Sequence, residues 1–350
     1  MTLFRCATSH LQRRDSSSYL KADQVKYIRK LTYKVGYITI NDDHLVSPIL
    51  LNFLPTISRL NCLSITTLPL YTFSHLINWN WLDSSLTSAF LHLMHLPTIN
   101  HIDLSFIENF PLSGLTPSVN LLRLDILCLA CFDLLEDDGS PEILVEMMPK
   151  IREFHTSVSS LLTTKLLHAK RQDGRPAFNV IDLRRLSIFY LGFEDERNIR
   201  YLLQNAKLLE KLHLSVSYGS LVGLLSLSAR AVKSLRLSVS LWDESVFLGG
   251  ICEELEAMAG HNILEALSFE VRVDVDDDTE EFVGSIIQKV ENVLIKPGWS
   301  GLRQISFKLS ISYVRNKRNL GETLQSLPDK YLSHLSKLES VAFNYSAYIV

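Results

Sequence analysis

Apolar residues recur along the chain in a six-residue phrase, L-x-x-L-x-L, with Ile, Val, Phe, Tyr or Thr standing in at some positions. It reads Ile28-Arg-Lys-Leu31-Thr-Tyr33, Leu60-Asn-Cys-Leu63-Ser-Ile65 and Ile99-Asn-His-Ile102-Asp-Leu104. Leu124-Asp-Ile-Leu127-Cys-Leu129 follows, then the weaker Ile151-Arg-Glu-Phe154-His-Thr156, then Leu183-Arg-Arg-Leu186-Ser-Ile188 and Leu209-Glu-Lys-Leu212-His-Leu214. The series closes with Val232-Lys-Ser-Leu235-Arg-Leu237, Leu264-Glu-Ala-Leu267-Ser-Phe269, Leu302-Arg-Gln-Ile305-Ser-Phe307 and Leu338-Glu-Ser-Val341-Ala-Phe343. Alternation at the end of each phrase predicts a short strand with one apolar face. Successive phrases lie 23 to 39 residues apart. The shorter intervals suit a leucine-rich repeat, and the longer ones leave room for extended helices or loops.

Between the phrases the period changes to that of a helix. Leu86, Ala89, Phe90, Leu93 and Met94 share one face of a helix over Leu86–Leu96. Phe282, Ile286, Ile287, Val290, Val293 and Leu294 do the same over Phe282–Leu294, where Asp278 is placed to cap and Glu281 to complete a capping box. Phe247, Ile251, Leu255 and Met258 form a third stripe, with Gly260 placed to end it. Helices are also expected over Pro141–Met148 and Asn198–Asn205.

Strand, turn, helix, turn is therefore the unit, and one unit cannot bury both of its apolar faces alone. Stacking lets each cover the next. The expected fold is an α/β, irregular leucine-rich-repeat-like solenoid, a horseshoe with parallel strands on the concave face and helices on the convex face. Its domain spans 25–350 as about eleven repeats, after a poorly ordered segment over 1–24. The residue between the last two apolar positions should point out of the concave face. These residues are Ser64, Asp103, Cys128, His155, Ser187, His213, Arg236, Ser268, Ser306 and Ala342. They form the candidate binding stripe.

Composition narrows the function. A chain that is 47% hydrophobic and 21% charged is no disordered tail. Its net charge of −3 gives no global basic surface for nucleic acid. Arg315, Lys317 and Arg318 are read as a solvated loop. Five scattered cysteines fit a reducing compartment, cytoplasmic or nuclear, and no stretch has the roughly 20 apolar residues that span a bilayer. Met1–Arg14 carries Arg5, Arg13 and Arg14 but lacks the apolar core of a signal peptide.

No catalytic or cofactor motif accompanies the repeats, so neither an enzyme activity, a cofactor nor a metal is expected. Cys128 and Cys131 form a lone CxxC without a second pair or a nearby His. Asp274, Asp276 and Asp278 resemble a calcium loop only until Thr279 and Ser285, where that loop requires Gly and Glu. His92, His95 and His101 are expected to be ordinary surface or partly satisfied histidines. Trp79 and Trp81 are expected to pack rather than to form an exposed anchor. One enzyme-like coincidence remains: Asp103, Cys128 and His155 occupy equivalent stripe positions in consecutive repeats.

Val25–Tyr33 (VKYIRKLTY), Leu45–Ile65 (LVSPILLNFLPTISRLNCLSI) and Ala89–Asn109 (AFLHLMHLPTINHIDLSFIEN) resemble the early repeats of the large F-box protein family of mushroom-forming fungi, the basidiomycetes. The similarity fades after about residue 130. The resemblance implies the substrate-recognition half of a ubiquitin ligase receptor, with a protein held by the repeats. Each Leu-Pro pair, at Leu54, Leu68, Leu96 and Leu327, lies within the repeats rather than in an F-box. Docking on the ligase adaptor is therefore not carried over, and the expected partner is another protein. The alternative is a degenerate or truncated repeat protein without catalysis or a specific partner.

Overall fold

Wherever the apolar phrase is described, a strand overlaps it. A computed structural model of the chain describes residues 2–7, 27–35, 54–67, 77–111, 120–127, 150–157, 163, 166–168, 176, 179–191, 196–216, 221–241, 250–274, 279–312 and 320–349. The chain divides into two compact units, Met1–Val180 and Ile181–Val350. In the first unit the strands are β1 (Thr2–Ala7), β2 (Lys30–Val35), β3 (Cys62–Thr67), β4 (Ile77–Asn78), β5 (His101–Ser105), β6 (Ile107–Glu108), β7 (Arg123–Leu127) and β8 (Glu153–Ser157), with helix α1 at Ser84–Met94. The ladder runs β1-β2-β3-β5-β7-β8, and β4 pairs with β6 beside it. β1 falls within the segment expected to be poorly ordered, of which residues 1 and 8–24 lie outside the described residues.

The second unit contains β9 (Arg185–Leu191), α2 (Glu196–Asn205), β10 (Lys211–Val216), β11 (Ser234–Leu241), α3 (Ile251–Met258), β12 (Ala266–Asp274), α4 (Thr279–Leu294), β13 (Gln304–Ser312), α5 (Leu320–Tyr331) and β14 (Ala342–Ile349). Here the ladder runs in chain order from β9 to β14. Every strand pairing described in the two units is parallel. Along each main ladder, successive strands in the sequence are neighbours in space, which is the solenoid-like α/β condition in both units.

A recurrent backbone clamp sets the register. The carbonyl before a strand accepts two N–H groups from the start of the next. Arg29 O takes Asn61 N and Cys62 N at 2.8 and 3.0 Å, and Asn100 O takes Leu122 N and Arg123 N, both at 2.9 Å. Arg184, Glu210, Lys233 and Glu265 carbonyls repeat it in the second unit.

This clamp corrects two phrases. The run Leu121-Leu-Arg-Leu-Asp-Ile-Leu-Cys-Leu129 fits the apolar template twice, three residues apart. The clamp on Asn100 selects the earlier match, so Leu124, not Leu127, pairs with Ile102. Cys128 is thus not the stripe residue of this repeat; Asp125 is, and Cys128 lies outside the described residues. In the last repeat Phe343, not Val341, pairs with Ile305, so the stripe position falls to Asn344 rather than Ala342.

On the helix side of the sheet the apolar rows are buried: Leu63, Ile102, Leu124 and Phe154 in the first unit, and Leu186, Leu212, Leu235, Leu267 and Ile305 in the second. Thr156 takes the place of an apolar residue in the weaker phrase. Its buried hydroxyl is satisfied by Thr163 Oγ1 at 3.2 Å. Helix α1 begins where Asp83 Oδ1 accepts from Ser85 N and Leu86 N at 2.8 and 3.1 Å. It buries all five of its expected stripe residues. Trp79 packs edge-on against Phe110, ring centroids 4.6 Å apart, whereas Trp81 is 63% exposed. The two tryptophans thus part company. Ile286, Ile287, Val290, Val293 and Leu294 of α4 are buried, and Gly284 lets that helix approach Tyr331, whose ring a Cβ there would meet at 2.4 Å. Asp278, Phe247 and the helix expected over 141–148 lie outside the described residues.

Two buried glutamates tie helices to neighbouring turns. Glu254 of α3 accepts from the backbone N–H groups of Gly223, Leu225 and Ser226, the start of a short 3-10 turn at Leu225–Ser228. Glu291 of α4 accepts from His334 N and Leu335 N at 2.9 and 3.1 Å, at the turn Leu335–Lys337. Each carboxylate satisfies donors that begin a helical turn and have no partner inside it. Glu254→Gln should lower stability by about 1–3 kcal/mol in denaturant unfolding, because a buried donor loses its acceptor. Exposed Glu256→Gln, which breaks only a surface pair with Lys296, should stay within about 0.5 kcal/mol. Equal effects would remove the clasp from the account.

Candidate functional site

The face opposite the helices is polar, and its rows follow from the register. In the first unit the stripe row is Thr32, Ser64, Asp103, Asp125 and His155. The row two residues earlier is Lys30, Cys62, His101, Arg123 and Glu153. With a period of two, both rows point to the same side of the sheet. Residues far apart in the chain thereby become side-chain neighbours.

Asp125 is the hub of this face. Its Oδ2 lies 2.9 Å from His101 Nε2, and Arg123 Nε donates to both carboxylate oxygens at 3.1 and 3.0 Å. Arg123 also reaches Glu153 at 3.7 Å. On the far side of the imidazole, His101 Nδ1 meets Cys62 Sγ at 3.3 Å. Alongside, Ser64 and Ser105 hydroxyls donate to the two oxygens of Asp103 at 2.8 and 3.1 Å.

These contacts decide the protonation states. Burial works against the charge on Asp125, yet hydrogen bonds from His101 and Arg123 hold its carboxyl below the ordinary range. Burial also opposes a charge on His101. The bonds to Asp125 and Cys62 prevail and raise it to about 9. His155 behaves oppositely. Burial lowers its pKa and outweighs the charge of Asp125, whose Oδ1 stays 4.0 Å from His155 Nε2, beyond a hydrogen bond. That nitrogen is buried without a hydrogen-bond partner. With Arg123 occupying Asp125, the carboxylate serves one histidine and leaves the other neutral.

The second unit carries a separate network. Glu270 Oε2 accepts from Arg236 Nη2 at 2.5 Å and from Ser238 Oγ at 3.1 Å, while Lys308 Nζ donates to Oε1 at 3.1 Å. Burial would raise its carboxyl, but Arg236 and Lys308 lower it to about 2. His213 Nε2 lies 2.9 Å from Ser238 Oγ, and its ring meets Phe189 edge-on at 4.9 Å. Lys308 Nζ sits 5.1 Å from the centre of the Tyr348 ring. Five neighbouring strands, β10 to β14, thus contribute to one chain of polar contacts.

Of the expected stripe, Ser64, Asp103 and His155 fall on or beside the Asp125 cluster, and His213 and Arg236 join the Glu270 network. Ser187, Ser268 and Ser306 occupy the expected row, Ser187 buried and the other two half-buried. Cys62, His101, Arg123, Asp125, Ser238, Glu270 and Lys308 are additional members. Most lie two residues from a stripe position, a signal already available in the strand period. His101 is no ordinary surface histidine, whereas His92 and His95 are exposed. Cys131, Asp276, Asp278, Arg315, Lys317 and Arg318 lie outside the described residues. Among the described residues no group of three or more His, Cys, Asp or Glu could hold a metal ion, and no helix is long and apolar enough to cross a membrane.

No family model matches the chain, and no curated protein is detectably similar to it.

The pairing of His101 has a pH signature. Its pKa is raised from 6.5 to about 9, so the stabilisation is complete below about pH 6.5 and is lost as pH rises through about 9. His155, with a lowered pKa, acts on the acid side of that window. The thermal midpoint should decline between pH 6.5 and 9, and His101→Gln should remove most of that decline. An unchanged slope in the variant would show that the His101–Asp125 pair does not form.

Proposed function

We propose that the chain is a leucine-rich-repeat-like protein-binding domain whose polar sheet face is the docking surface. The observation that carries this reading is the division of each unit's sheet into two faces. One is buried under helices and turns. The other presents polar side chains that neighbouring strands already hold in place. Groups fixed before contact lose less conformational entropy on binding. In the first unit Asp103 is half-buried, and in the second Arg236 is exposed and Ser268 and Ser306 are half-buried, so a partner can reach the polar row of either unit.

Together with the resemblance of VKYIRKLTY and AFLHLMHLPTINHIDLSFIEN to fungal F-box repeats, this points to the recognition region of a ubiquitin ligase substrate receptor, working without catalysis in the cytoplasm or nucleus. The resemblance of those two segments carries the ligase part. The alternative, a repeat protein with no specific partner, is an outcome of the same test.

The test uses the whole chain as bait in cell extract, beside Ser268→Arg/Ser306→Arg and a helix-side control, Gln288→Arg. The wild type and the control should retain the same protein, and the double variant should lose it with its melting temperature within a few degrees of wild type. A partner kept by all three would move the site off the sheet face. Nothing retained specifically by the wild type would favour the repeat protein without a partner.

A further inference from the structure

Cys62, His101 and Asp125 stand in line across three neighbouring strands, β3, β5 and β7. The order is sulfur, imidazole and carboxylate, with contacts of 3.3 Å at Nδ1 and 2.9 Å at Nε2. A nucleophile, a nitrogen base and an orienting acid in that order is how a thiol is activated, whatever the fold. The line is held from both ends. The register places Cys62 opposite His101 and His101 opposite Arg123, and Arg123 fixes Asp125 by donating to both of its oxygens. Cys62 is half-buried rather than sealed, and exposed Lys30 stands opposite it on β2.

From this geometry we propose that Cys62 is a reactive thiol on the sheet face, a site of mixed-disulfide formation with small anionic disulfides. The reaction is stoichiometric, not a turnover. Passing the Sγ proton to Nδ1 across the 3.3 Å contact leaves a thiolate beside an imidazolium oriented by Asp125. The thiolate attacks one sulfur of the incoming disulfide. A new S–S bond forms, the old one breaks, and the expelled thiolate takes the proton from Nδ1. One disulfide and one thiol enter, and one mixed disulfide and one thiol leave, so no further oxidant is needed. Lys30 supplies the positive charge that favours an anionic reagent, and after reaction the appended group lies on the polar face beside Ser64 and Asp103.

Cys252 is an internal standard. It is half-buried on α3, and burial together with Glu253 and Glu256 pushes its thiol up to about 11. Such a thiol should react slowly near neutral pH. The proposal is independent of protein binding, since the readout is chemical.

The test treats the full folded chain with a limiting amount of dithiobis-nitrobenzoate, an aromatic disulfide bearing carboxylates, and maps modified peptides by mass spectrometry. Cys62 should be modified at least about tenfold faster than Cys252 at pH 7. His101→Gly should abolish that advantage, and added imidazole should restore it without changing the Cys252 rate. Asp125→Asn, which keeps the size of the side chain, should reduce it while the far-ultraviolet circular dichroism stays native. Equal rates at the two cysteines would overturn the proposal. So would an undiminished Cys62 rate in a folded His101→Gly chain, or failure of imidazole to restore the rate.

Discussion

The parallel register between successive strands is the constraint on which everything else depends. Each clamped strand begins at a carbonyl of the previous repeat that accepts two of its N–H groups, as Arg29, Asn100, Lys233 and Glu265 do. Because side chains alternate across a strand, a slip of one residue would turn the whole apolar set outward and place charged groups against the helices. A slip of two would keep the faces but change every neighbour. The clamp therefore fixes both which side is buried and which polar groups meet.

The polar groups that meet are not a uniform surface. Asp125 gathers cations from β5 and from its own strand, Glu270 from the strands on either side, and each carboxyl is held ionised against the cost of partial burial. An ion that loses water is tolerated only when such partners replace it. The same logic appears on the helix side without cations. Glu254 and Glu291 are nearly as buried as core residues and are satisfied chiefly by backbone N–H groups at the start of a turn. In one place charge organises the open face. In the other it locks repeat to repeat.

Much of this architecture was legible in the sequence. The phrases at Leu63, Ile102, Leu186, Leu212, Leu235, Leu267 and Ile305 state the strands and their buried faces, because burial demands alternation and the chain obeys it. The stripe of α1 was legible in full. The reading failed where hydrophobicity offers two answers. Leu121–Leu129 matches the phrase in two frames, and only a hydrogen bond to Asn100 distinguishes them. At Val341 and Phe343 the terminal repeat departs from the phrase, placing Ser340 where an apolar residue begins it elsewhere. The Asp125 cluster was hidden for the same reason. Cys62, His101 and Asp125 are separated by tens of residues, and the frame that put Cys128 in the stripe removed the carboxylate from view. The coincidence of Asp103, Cys128 and His155 pointed to the right face with the wrong member. Helix α5 carries Leu320, Leu324, Leu327 and Tyr331 at helical spacing, and Pro328 inside it masks that period in the sequence.

The register of β5 against β7 can be measured directly by cross-linking. In a chain with Asp103→Cys and Asp125→Cys, adjacent strands about 4.8 Å apart bring the two Cα atoms within the roughly 4.4–6.8 Å that a disulfide spans. Mild oxidation followed by peptide mapping should recover a link between positions 103 and 125. With Asp103→Cys alone, the native Cys128 should remain unlinked to position 103. A 103–128 link in place of the 103–125 link would contradict the register, and with it the Asp125 cluster.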